Sequence, residues 1–117
     1  MSKLTELLAP VNIEDTTTTV TKTMTDSIQN YDFVVIYIQG IPTSIASIGN
    51  PITLPVSVIN QKGYAANAYC GRLTITSNAY VDYQLGFSSA SVISIMRSVT
   101  TGGSSYGLKL SVYGIKF

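Results

Sequence analysis

Along most of this chain, hydrophobic and polar residues alternate with a period of two. From Leu108 to Val112, Leu108, Leu110 and Val112 fall on one side and Lys109 and Ser111 on the other, as a half-buried strand requires. From Val81 to Phe87 the same rule groups Val81, Tyr83, Leu85 and Phe87 opposite Asp82 and Gln84. Between Thr16 and Thr25 the run is almost all β-branched, with Val20 and Met24 facing one way and threonines the other. Tyr31 to Ile38 breaks the alternation. It is apolar at both parities apart from Asp32, which predicts a central strand covered on two sides.

Glycine, proline, asparagine and serine clusters cut the rest into short pieces. They leave strands expected at Ser44–Ile48, Ile52–Ile59, Tyr64–Tyr69, Arg72–Thr76, Val81–Phe87, Val92–Val99 and Tyr106–Phe117. Pro55 has no amide hydrogen, so Ile52–Ile59 should lie at a sheet edge or hold a bulge. Thr100–Ser105 reads as a flexible hairpin tip. Short strands with close turn spacing predict an all-β fold, an antiparallel β-sandwich. Only the opening residues have helical spacing: Leu4, Leu7 and Leu8 stand at i, i+3 and i+4 before Pro10. A helix this short is unstable alone. The expected organisation is therefore an N-terminal arm over residues 1–15, gripping a neighbouring subunit through Leu4, Leu7 and Leu8, and one sandwich domain over residues 16–117.

The surface this implies is neutral. Of 117 residues only 11% are charged, for a net charge of +1, less than half the usual charged fraction of ~25%. Seven scattered Lys and Arg make no footprint for nucleic acid or anionic lipid, and a low net charge tolerates close packing of copies. No run approaches the ~20 apolar residues that span a bilayer, and no secretory signal is expected. The lone Cys70 cannot form an internal disulfide and reads as a small buried hydrophobe.

The absence of histidine removes His-based acid–base catalysis, Ser-His-Asp triads and His-ligated metals. Among the acids, Asp26 and Asp32 read as turn caps. No calcium loop or phosphate loop is spelled out, so the chain is expected to be non-enzymatic and to use no cofactor or metal. A sugar-binding face is the more plausible chemistry. Tyr64, Tyr69 and Tyr80 supply flat amphipathic rings, and Asn67 and Asn78 supply donors and acceptors.

Two motifs carry a resemblance. Thr25-Asp26-Ser27-Ile28-Gln29-Asn30-Tyr31-Asp32 leads into the apolar run Phe33–Ile38, and Val112-Tyr113-Gly114-Ile115-Lys116 closes on Phe117. Together they resemble the head modules of tailed-bacteriophage surface proteins: tail-fibre or receptor-binding tips and capsid decoration proteins. The resemblance implies a jelly-roll-like sandwich, usually trimeric or otherwise homo-oligomeric. It implies attachment to phage capsid or tail proteins at a virion surface after synthesis in the host cytoplasm. A fibre tip normally follows a long shaft, whereas only residues 1–24 precede the lead-in. A decoration or cement protein is therefore the first expectation, and a tip recognising host-surface polysaccharide the second.

Overall fold

In the computed structural model, which describes residues 3–13, 18–41, 48–101 and 107–117, two four-stranded antiparallel sheets pack face to face. The first sheet runs, in spatial order, β1 (Lys3–Ile13), β8 (Gly107–Lys116), β3 (Phe33–Ile41) and β4 (Gly49–Pro55). The second runs β2 (Val20–Thr23), β7 (Val92–Thr101), β6 (Ala79–Ser89) and β5 (Tyr69–Thr76). The all-β sandwich expected from the period of two is the observed fold. The pairs β1–β8 and β2–β7 are nested, whereas β3–β4 and β5–β6–β7 are neighbours in sequence as well as in space.

The core follows from parity. Val34, Ile36 and Ile38 of β3 and Leu108, Leu110 and Val112 of β8 are fully buried. So are Val81, Tyr83, Leu85 and Phe87 of β6 and Ile93 and Ile95 of β7, none more than 1% exposed. These are the alternate residues of each strand, so every inner face is apolar. A hydrogen bond crosses between the sheets, the Asn50 amide donating to the Tyr83 hydroxyl at 2.6 Å.

Several local expectations need correction. The opening segment is not a helix: Lys3–Ile13 is strand β1, paired with β8 from Lys3↔Lys116 to Ile13↔Leu108. Leu7 is fully buried in the chain's own core while Leu4 is 62% exposed. Two register shifts, at Glu6/Leu8 and Leu8/Val11, interrupt the alternation, which is why the leucine spacing mimics a helix.

Ile52–Ile59 is half strand and half helix. Pro55 ends the edge strand β4 and caps helix α1 (Val56–Lys62), whose Val56 and Ile59 are buried one turn apart. Tyr64–Ala68 is a loop instead of a strand, with Asn67 at φ 60°, a conformation strands do not contain, and only Tyr69 of the expected segment is strand, the first residue of β5. Cys70 is exposed, because its register opposite Gln84 turns it away from the core. Residues 44–47 of the Ser44–Ile48 strand and residues 102–105 of the expected hairpin tip lie outside the described residues.

Candidate interaction surface

The two motifs singled out in the sequence meet in space. Asp26 accepts hydrogen bonds from the Ser27 amide (2.8 Å), the Asn30 side chain (2.8 Å) and the Tyr31 hydroxyl (2.9 Å). With the Ser27 hydroxyl accepting from the Gln29 amide, these bonds shape a 3-10 turn over Ile28–Asn30. The Ser27 amide bond is the carboxylate-to-backbone contact expected of a turn-capping Asp26, and the other two of its bonds come from side chains. Led by the Tyr31 hydroxyl, the three donors hold the Asp26 carboxyl below its ordinary value, and burial followed by Asp26 raises the Tyr31 phenol.

The Tyr31 ring then lies on Gly114 of β8. A β-carbon there would sit 2.6 Å from the ring, so only glycine fits. Asp32 completes the lock: its amide donates to the Ile115 carbonyl and its carboxylate accepts from the Phe117 amide, both at 2.8 Å. The lead-in is also tied to β1 through Thr25 to Leu7 and to the β6–β7 hairpin through Ile28 to Ala90. Its residues are structural.

What this lock positions is the outer face of the first sheet. The cross-strand register places Leu4, Ile115, Phe33 and Pro55 in one row and Glu6, Tyr113, Val35 and Thr53 in the next. Ser111, Tyr37 and Pro51 form a third. Phe33, Val35, Tyr37 and Ile41 are half-buried, and Phe117, 69% exposed, packs edge-on against Phe33 with ring centroids 5.4 Å apart. Strand β3, which starts at Phe33 rather than Tyr31, is an inner strand of its sheet, but only one of its faces is fully covered and not two as expected. The outer face of the second sheet is different in kind. It carries the Arg72–Asp82 ion pair, Thr74, Tyr80, Gln84, Thr21 and Thr23.

Phe33, Val35, Tyr37 and Ile115 bring partly exposed apolar surface together at the centre of this face, with exposed Glu6, Pro51 and Thr53 around them and Ser111 buried among them. At one end the face opens into a groove of about 640 Å³ lined by Gln29, Asp32, Phe33, Asn60, Lys116 and Phe117 among others. Gln29 and Asn60 exchange side-chain hydrogen bonds across its wall, and Gln29 also donates to the Tyr64 hydroxyl at 2.7 Å.

The residues expected to form a sugar or partner face do not come together. Tyr64 and Asn67 are exposed on the loop before β5, and Tyr69 begins that strand opposite buried Leu85, its hydroxyl buried. Asn78 sits at the β5–β6 turn, and Tyr80 beside it lies under the Arg72 guanidinium, 3.7 Å from the ring centre. The length of β5 separates the two groups, roughly 20 Å at the usual rise. Other tyrosines serve the backbone: the rings of Tyr31, Tyr37 and Tyr83 cover Gly114, Gly49 and Gly71, replacing the side chains that strand glycines lack. Phe33, Val35 and Tyr37, which form a surface with Ile115, carried one sequence signal, the apolar character of Tyr31–Ile38 at both parities.

Among the described residues no group of three or more His, Cys, Asp or Glu side chains is placed to hold a metal ion, and no helix is long and apolar enough to cross a membrane. The surface can therefore offer shape, apolar area and a few hydrogen-bonding groups to a partner. No known family model matches this sequence, and no curated protein matches it.

Proposed function

We propose that this chain is a non-enzymatic structural protein that joins a multi-copy assembly through the outer face of its first sheet. One observation carries the reading. β3 has the composition of a strand covered on both sides, yet the chain itself fully covers one parity, Val34, Ile36, Ile38 and Gly40, and leaves Phe33, Val35 and Tyr37 half-open. A partner surface supplies the missing layer. Apolar transfer at about 25 cal/mol per Å² makes such a face useful for attachment, and the low charge density of the chain opposes neither packing nor crowding.

The motif resemblance gives the place: a virion surface, with the protein acting as a capsid decoration or cement component. The second reading is a receptor-recognition tip that binds host glycan. The groove favours it, since Phe33 and Phe117 provide aromatic surface beside the polar groups of Asp32, Asn60 and Lys116.

Val35→Asp combined with Ile115→Asp tests the attachment face, because both side chains point away from the core. The expected result is a single cooperative melt at a somewhat lower temperature, since both positions are half-buried strand sites, together with loss of incorporation into particles. Incorporation at full occupancy would show that the face is not the attachment surface. Particles lacking the protein separate the two roles: disruption by heat or low salt marks a cement protein, and intact particles that fail to adsorb mark a tip. Particles that keep both stability and adsorption would dismiss both roles.

A further inference from the structure

Open sheet edges invite pairing, and most are blunted by proline, bulges, inward charge or shortness. In this sandwich three of the four edges are blunted. β1 carries Pro10 and two register shifts, and β4 carries Pro51 and Pro55. β2 is four residues long and turns Lys22 to the side of buried Ile93. β5 differs. Among the described residues it pairs on one side only, with β6, in regular register from Tyr69↔Leu85 to Thr74↔Tyr80, with one register shift at its far end between Thr74 and Thr76. It contains no proline, and its one charge, Arg72, is held by Asp82 at 2.6 Å.

We propose that β5 is a self-association edge, at which a second copy of this chain adds its own β5 in antiparallel order to make one continuous sheet. The strand is self-complementary about Gly71. Centred there, a two-fold axis uses residues 69–73 of the regular stretch and opposes Gly71 to Gly71, Tyr69 to Leu73 and Cys70 to Arg72 across the interface. Both Tyr69–Leu73 pairs lie on the core side, where an aromatic beside an aliphatic residue is a favourable cross-strand pair. On the outer side the pattern reads Asp82, Arg72, then the second copy's Cys70 and Gln84, so no like charges stand directly opposite. A register centred on Arg72 would instead set the two guanidiniums against each other, and symmetry forbids a centre between residues because the two faces would then mismatch. The edge is distinct from the attachment face of the first sheet, and the two surfaces can act together, one joining copies and the other joining the assembly.

The register predicts opposite effects of two charges at one exposed position. Cys70→Lys places a cation opposite the second copy's Arg72 twice per dimer, and Cys70→Asp places an anion there twice. Sedimentation equilibrium over a concentration series should show a wild-type dimer, weakened about tenfold by Cys70→Lys and tightened by a similar factor by Cys70→Asp. Thermal melts of the dilute, monomeric proteins should stay alike, because Cys70 faces solvent opposite Gln84. Amide exchange at residues 69–74 should slow with rising concentration in the wild type. A wild-type chain that stays monomeric, or a dimer indifferent to both charges, would overturn the proposal. In the second case, loss of the dimer in Val35→Asp/Ile115→Asp would assign self-association to the first sheet instead.

Discussion

Adding a single methyl group at Gly114 tests the lock between the two ends of the fold. A β-carbon there would lie 2.6 Å from Cδ1 and Cγ of Tyr31. Those atoms are at the base of the ring, so no terminal rotation relieves the contact and the whole ring must move. Overpacking of this kind costs about 1–3 kcal/mol. Relief of glycine's excess chain entropy in a strand offsets about 0.5–1 kcal/mol of it. Gly114→Ala should therefore destabilise by about 1–2 kcal/mol, read as a lower urea midpoint at unchanged slope. The same substitution in a Tyr31→Ala background meets no ring and should be neutral or slightly stabilising. That reversal of sign is the signature of direct coupling. An equal loss in both backgrounds, or none in the first, would refute the claim that the ring excludes every residue but glycine.

Other tests follow from the same contacts. Leu7→Ala should cost about 2–5 kcal/mol as a core truncation, and Leu4→Ala, at an exposed position of the same strand, under about 0.5 kcal/mol; paired urea titrations would settle whether β1 is an integral strand. Tyr83→Phe removes the acceptor of the Asn50 amide and should lose about 1 kcal/mol, with little further loss when Asn50→Ala is added. Because the folded Asp26 carboxyl lies below its ordinary value of 3.8, its contribution is full above that pH and disappears as the pH falls through the lower folded value. Asp26→Asn should flatten the acid limb of a melting-temperature profile. Tyr31 is raised above 10.0, so its contribution is full below that pH and is lost as the pH rises through the folded value; Tyr31→Phe should flatten the alkaline limb.

The alternation of Val81–Phe87 and of Leu108–Val112, by itself, determined that the chain forms strands with one apolar face, and therefore a two-layer sandwich. Parity is a local property, and the observed buried sets are the ones it selects. Pro55 likewise announced an edge or a bulge, since a missing amide hydrogen has the same consequence in any fold, and β4 is an edge strand. The apolar run Tyr31–Ile38 announced a strand needing cover on both faces, which is where the candidate attachment surface lies.

Tertiary structure alone decided the rest. Leu4, Leu7 and Leu8 match a helix by spacing, but pairing with β8 and the accompanying register shifts make them a strand. Val56–Lys62 is a helix because Pro55 ends the edge ladder, leaving Val56 and Ile59 to reach the core from one turn. Cross-strand partners are residues far apart in sequence, such as Leu4 with Ile115 or Tyr31 over Gly114, and neighbours along the chain carry no record of them. The separation of Tyr64 from Tyr80, the open outer face of β3 and the unblunted edge of β5 are all consequences of strand order. Strand order is set by which pairings bury the most apolar surface together, a property of the whole chain and of no segment within it.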